Sequence, residues 1–207
     1  MFRIFHNGHP IFLYIFFLLF LNFSAAKVLD QKKVAIVIVD MQSEFLQNQD
    51  PADSEEKVRK LSRKQKKLIK WAIQHNFPVL VFQTENAGNT LTEITNLLKG
   101  HRHALIWKKN SGGFEENSFS EKQALTKLKQ WGTKTIIITG IFACCCVANT
   151  AGGAIRNDFK VLSTKDLVAD STDTSIMYPA DLPDTLVGHK NFRFFNTLDK
   201  LLDKALP

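Results

Sequence analysis

Hydrophobic and polar positions along the chain alternate between two kinds of pattern. Lys33 to Asp40 reads KVAIVIVD, an unbroken, mostly β-branched run bounded by charge, which is how a strand buried on both faces looks. Similar short apolar runs recur at Leu80 to Gln83, after Pro78, then at Ala104 to Trp107, Thr135 to Thr139 and Lys160 to Ser163. Between them the spacing turns helical: Val58, Leu61, Leu68 and Ala72, then Leu91, Ile94 and Leu98, then Ala124, Leu125, Leu128 and Trp131. Strands alternating with helices build a mainly parallel sheet with right-handed crossovers. The expected fold is therefore α/β, a three-layer α/β/α sandwich of Rossmann-like character. No internal repeat, low-complexity tract or linker rich in Pro, Gly or Ser interrupts it.

The first 26 residues belong to a different pattern. Seven of the 17 phenylalanines fall among residues 1–23, around the apolar run Ile11 to Leu21, with Arg3 before it and Ser24-Ala25-Ala26 after it. A basic start, a short apolar core and small residues at the cleavage positions make a signal peptide, with an exported domain predicted over residues 27–207. The rival is an uncleaved anchor, but this run is much shorter than the ~20 residues a helix needs to span a bilayer. Loss of Arg3 lowers the net charge from +7 to +6.

Composition narrows the class further. With 44% hydrophobic and 23% charged residues, the chain is neither intrinsically disordered nor a polytopic membrane protein. The three cysteines stand together as Cys144-Cys145-Cys146, which excludes a disulfide framework. Basic residues crowd Lys57 to Lys70, but no aromatic residue interleaves them and Val58, Leu61 and Leu68 mark a buried face. A solvated helix face is expected rather than a nucleic-acid or lipid site.

In an open parallel sheet, ligands bind outside the carboxyl ends of the strands where the strand order reverses. Three chemical groups are expected at that edge. Asp40 ends the first strand, Lys108 ends ALIW, and the cysteines follow Gly140 after TIIIT. A carboxylate, an ammonium and a thiol are the ingredients of nucleophilic catalysis with a general base. Each has a duller reading as well. A strand-end Asp is often a turn residue, Lys108 beside Lys109 can be a solvated pair, and a cysteine can be a small buried hydrophobe, the reading given to Cys144 and Cys145.

With these motifs in order, the chain resembles the isochorismatase-like cysteine hydrolases, a superfamily that includes nicotinamidases and other amidases. The resemblance runs over roughly residues 33–170. VIVDMQSEFL (Val37 to Leu46) is similar to the family's acid segment, which places Asp40 as catalytic acid and Phe45 in a pocket wall. WKKNSGGF (Trp107 to Phe114) is similar to its lysine segment, where Phe stands six residues after the lysine, which selects Lys108 and adds Phe114 to the pocket. GIFACCCVANTA (Gly140 to Ala151) is similar to its nucleophile segment, with the cysteine six residues after the glycine, which selects Cys146. DLVADS (Asp166 to Ser171) fits the segment after the next strand.

The resemblance implies cleavage of a small non-peptide amide C–N bond through a Cys146 thioester. Asp40 would take and return the proton while Lys108 stabilises the thiolate. The N–H groups of Phe142 and Cys146 would form the oxyanion hole, set by a cis peptide at Ile141–Phe142. A thiol pKa lowered by Lys108 and by a helix beginning at Cys146 is expected. The sequence also departs from the family pattern, with Ala143-Cys144 where many members carry Thr-Asp and Gly112-Gly113 in place of Ser-Ala.

The nicotinamidase metal pair Asp-x-His has no counterpart in QTENAGNT (Gln83 to Thr90), and His101 and His103 precede their strand. They read as exposed loop histidines. No metal or other cofactor is expected, and Glu85 and Asn86 take the place at the pocket. Expected partners are a small-molecule substrate and, as an open option, further copies of the chain, with no nucleic acid and no membrane once the leader is removed. Two other functions stay open: isochorismate-type vinyl-ether hydrolysis, which leaves the cysteine idle, and a secreted binding or effector protein without turnover.

Overall fold

A computed structural model of the chain describes residues 34–47, 51–110, 113–114, 119–169, 186 and 188–205. The predicted leader and the Asp170-Ser171 end of the last motif lie outside them.

In chain order the elements are β1 (Val34–Val39), α1 (Ser43–Gln47), α2 (Pro51–Gln74), β2 (Val79–Thr84), α3 (Thr92–Leu98), β3 (Ala104–Lys109), α4 (Phe119–Gln130) and β4 (Thr135–Gly140). A π-helical turn, Ala143–Val147, leads directly into α5 (Ala148–Arg156), and β5 (Lys160–Thr164), β6 (Phe192–Phe195) and α6 (Leu198–Ala205) follow. The six strands are all parallel and lie in the order β3-β2-β1-β4-β5-β6. From β1 the chain first winds outward to β2 and β3, then returns to place β4 on the other flank of β1. The order therefore reverses between β1 and β4, and the carboxyl ends of these strands are where sheets of this kind bind ligands.

All six residues of β1 are buried, as its unbroken apolar run requires. Their alternation divides them between two cores. Ala35, Val37 and Val39 join Leu80, Phe82, Phe114, Leu128 and the α5 residues Ala151 and Ala154 on one face of the sheet. Val34, Ile36 and Ile38 join Leu61, Leu68, Ile69 and Ala72 of α2, Ile94 and Leu98 of α3, and Leu198 and Leu201 of α6 on the other. These are the three layers that the pattern predicted.

The structure also contains β6 and α6, which the sequence reading did not identify. FRFF is short and unaccompanied by a flanking β-branched run, so periodicity alone does not separate it from a loop. On the α2 face, the crowded lysines pair with acids: Lys64 with Asp166 at 3.3 Å, Lys66 with Glu93 at 2.8 Å and Lys67 with Asp199 at 2.5 Å. The expected solvated face is present, tied to its neighbours by surface ion pairs.

Candidate active site at the carboxyl edge of the sheet

Asp40 stands immediately after β1 and is fully buried. Its backbone has φ 53°, a left-handed conformation that Asp tolerates better than most residues. This kink takes its carboxylate out of the strand's alternation. Oδ1 accepts a 2.9 Å hydrogen bond from the Thr84 hydroxyl at the end of β2. Oδ2 lies 2.9 Å from Nζ of Lys109 at the end of β3. The Cys146 thiol faces the same carboxylate closely enough for Asp40 to raise its pKa.

The lysine at the site is Lys109, which corrects the expectation for Lys108. The strand runs two residues past Trp107, and period-two alternation decides the rest. Leu105 and Trp107 pack on the core that contains Phe82, so Lys109 shares their side and is only 2% exposed. Lys108 shares the other side with Ile106, and both are exposed. Counting six residues back from Phe114 selected the wrong neighbour, whereas the parity of Trp107 pointed to Lys109.

The thiol also differs from expectation. Burial, followed by the hydrogen bond and negative charge of Asp40, pushes the Cys146 pKa up to about 11, and Lys109 and the Phe142 backbone offset this only in part. At neutral pH Cys146 is therefore a protonated thiol rather than a stored thiolate. Nor does the helix begin at the cysteine. The π-turn starts at Ala143, and the Cys145 and Val147 N–H groups donate to the Phe142 carbonyl at 3.2 and 3.0 Å. Cys144 and Cys145, expected as buried hydrophobes, are exposed on this turn.

Around the turn, the Ile141–Phe142 peptide bond is cis, as the resemblance implied. The Phe142 N–H meets no backbone acceptor among the described residues. Gly140 has φ 142°, and a Cβ there would lie 2.1 Å from the Val39 carbonyl oxygen, so only glycine fits where β4 leaves the sheet. The Asp166 to Ala169 segment runs alongside: Gly140 N–H donates to Leu167 O, Ala169 N–H to Gly140 O and Ala143 N–H to Ala169 O.

The pocket expectations divide. Phe45 is half-buried and meets the Phe142 ring edge-on at 5.3 Å, which places it in a wall beside the cysteine turn. Glu85 and Asn86 are exposed on the turn after β2, at the same sheet edge. Phe114 does not line a pocket. It is fully buried, packs edge-on against Phe82 at 4.9 Å, and belongs to the core beneath the site. His101 and His103 lie before β3, at the opposite end of the sheet, as expected, but they are partly buried rather than exposed: His101 Nε2 is bonded to the Phe77 carbonyl at 2.8 Å and His103 stacks on Trp131.

Two residues that the sequence reading left without a role support the site. Gln42 is fully buried. Its amide Nε2 donates to the carbonyls of Thr84 and Gly88 at 2.9 and 2.8 Å, and its Oε1 accepts from Thr84 N–H at 2.7 Å. It thereby fixes Thr84, which in turn orients Asp40. The available signal was weak, a glutamine two residues after the strand-end acid and beside the apolar Met41; once buried, its amide must find partners.

The isochorismatase domain model matches residues 34–178. No curated protein matches the chain. Among solved structures, MAR1 ribonuclease from Caenorhabditis elegans is similar with a TM-score of 0.64 at 18% identity, over 85% of this chain and 82% of that one. An isochorismatase-like hydrolase from Alkaliphilus metalliredigens gives 0.64 at 18% identity, over 83% and 98%. N-carbamoylsarcosine amidase from Thermoplasma acidophilum gives 0.60 at 17% identity, over 79% and 96%. A matched domain model that covers most of the chain, together with a doubly wound sheet shared with such hydrolases, makes this chain a member of the isochorismatase-like hydrolase family.

Proposed function

We propose that the protein is an exported cysteine hydrolase that cleaves the C–N bond of a small non-peptide amide, with Cys146 as nucleophile, Asp40 as general base and acid, and Lys109 as the charge partner of Asp40. The observation that carries this reading is the buried Asp40–Lys109 ion pair beside the Cys146 thiol, where the strand order reverses between β1 and β4. The similarity to an amidase supports the choice of an amide.

Because the resting thiol is protonated, its activation and its attack are coupled. As Sγ approaches the substrate carbonyl carbon, the thiol proton passes to the neighbouring Asp40 carboxylate. Lys109 keeps the region electrically balanced while negative charge moves from carboxylate to sulfur and then to the carbonyl oxygen. We assign the N–H groups of Phe142 and Cys146 as the donors to that oxygen. Collapse of the tetrahedral intermediate expels the amine, which leaves with the proton held by Asp40. The same carboxylate then draws a proton from the water that hydrolyses the thioester.

Reduced protein should release ammonia or amine from members of a small-amide panel. Cys146→Ala and Asp40→Asn should each lose nearly all turnover while the circular dichroism spectrum is retained, and the double variant should be little worse than the worse single, because residues acting as one unit are non-additive. Turnover that persists in Cys146→Ala on a verified substrate removes the nucleophile assignment.

A further inference from the structure

The two cysteines ahead of the nucleophile have no part in the chemistry above, yet their placement is chemically specific. Cys144 and Cys145 are both exposed, and their sulfurs lie 3.1 Å apart. None of the three cysteines is in a disulfide. We propose that Cys144 and Cys145 form a second thiol centre, a vicinal dithiol that two-electron oxidants of the peroxide or disulfide class close reversibly to a disulfide, and that its closure disables the neighbouring site. The first half stands on the thiol geometry alone, while the second rests on Cys146 being the hydrolytic nucleophile.

With a peroxide the reaction balances as follows. One thiol loses its proton and attacks a peroxide oxygen, breaking the O–O bond and forming a sulfenic acid with release of water. The second thiol, already in contact, attacks that sulfur, and the S–S bond forms as a second water leaves carrying the sulfenic oxygen. The two sulfurs together give up two electrons, and the peroxide is reduced to two waters. With a small-molecule disulfide as oxidant, two thiols are released in place of the waters.

Exposure directs the oxidant to this pair. Cys146 is half-buried and keeps its proton on sulfur, so it presents little thiolate to an oxidant. A sulfenic acid on either exposed cysteine, in contrast, has a resolving thiol already in contact with it. Reversibility follows from the spacing: Cα atoms of adjacent residues are ~3.8 Å apart across a trans peptide, below the ~4.4 to 6.8 Å common for disulfides, and a strained bridge is readily reduced.

Closure acts on the site through the π-turn. Cys145 N–H donates to the Phe142 carbonyl at 3.2 Å, and the Cys145 carbonyl accepts from the Ala148 N–H at the start of α5. A ring joining residues 144 and 145 cannot retain the dihedral angles that make these bonds. The turn carrying Cys146 and the Phe142 N–H is then displaced.

The test uses reduced protein exposed to limiting hydrogen peroxide or to oxidised glutathione, then unfolded, alkylated with iodoacetamide and sequenced by fragmentation mass spectrometry. The expected product lacks two hydrogens, carries the alkyl group on Cys146 only, and reverts with dithiothreitol. Cys144→Ser and Cys145→Ser should each fail to form it. Phenylarsine oxide, a dithiol reagent, should bind the wild type one-to-one and neither serine variant. Alkylation of all three cysteines after oxidation, or a disulfide that includes Cys146, overturns the proposal. Amide hydrolysis should fall at least tenfold on oxidation of the wild type, recover on reduction, and be retained by both serine variants. A disulfide that forms with undiminished turnover overturns the control role. Because the bridge is read by mass, its failure is distinguishable from the absence of amidase activity.

Discussion

Cys146 shows how environment and chemistry combine in a single side chain. The folded protein holds the thiol proton up to about pH 11, whereas an unfolded cysteine gives it up near its ordinary value of 9.0. The folded state therefore binds the proton more tightly. The stability contributed is fully present below pH 9.0 and is lost as pH rises towards 11. Two measurements check this. Iodoacetamide should label Cys144 and Cys145 near neutral pH, while labelling of Cys146 should continue to rise above pH 9. The urea midpoint of wild type should fall over that alkaline range more steeply than that of Cys146→Ala. Early labelling of Cys146 at neutral pH would return it to the class of preformed thiolates.

The two lysines provide a sharper contrast. Lys109→Ala leaves the Asp40 carboxylate buried without its charge partner, and breaking a buried pair in this way costs about 3–5 kcal/mol. The variant should show that loss in urea unfolding and a drop of about 10² to 10⁴ in turnover, since Asp40 is no longer held as an effective base. Lys108→Ala, on the exposed side of the same strand, should change neither by more than about 0.5 kcal/mol. Equal effects at the two positions would mean that strand alternation does not govern the site.

At the scale of elements, the expected strands all form, because continuous β-branched runs have few alternatives to a buried parallel sheet. Asp40 could be placed at the sheet edge because a strand ends just before it, whereas Cys146 was singled out among three adjacent cysteines only by the resemblance. Lys109 was harder to read because β3 outlasts its apolar stretch, and a lysine is not ordinarily counted as a core-facing strand residue. The π-turn was hidden for a different reason: its extra residue leaves no trace in hydrophobic spacing when the sequence is Ala-Cys-Cys-Cys-Val.

Gly113 explains one departure from the family pattern. A Cβ at this position would lie 2.7 Å from the Phe82 ring, which fills the place a larger residue would need. Gly113→Ala should therefore destabilise the protein by about 1–3 kcal/mol, and Phe82→Leu should relieve much of that cost in the double variant. Additive losses in a double-mutant cycle would show that the two positions are independent.

For the whole molecule, topology brings distant parts of the chain into one site. Asp40, Thr84, Lys109 and Cys146 come from the ends of β1, β2 and β3 and from the turn after β4, four consecutive strands joined by three crossovers. The reversal of strand order between β1 and β4 opens the space in which they meet. Export is proposed for this assembly, on the leader-like pattern of residues 1–26. Secreted material should begin at Lys27, as N-terminal sequencing or intact mass would read. Recovery of the full-length chain in a membrane pellet alone would favour an anchored protein.

The buried Gln42 amide has a further consequence, for how freely the protein can change. It joins the end of β1 to both sides of the loop between Thr84 and Gly88, so that loop's shape is held from beneath by main-chain contacts. Glu85 and Asn86, exposed on that loop, contribute no side chain to the clamp. The Glu85 side chain can therefore change without loosening the contacts that hold Thr84 and, through it, Asp40 in place. The molecule separates what it can vary from what it must keep, and a single glutamine marks the boundary.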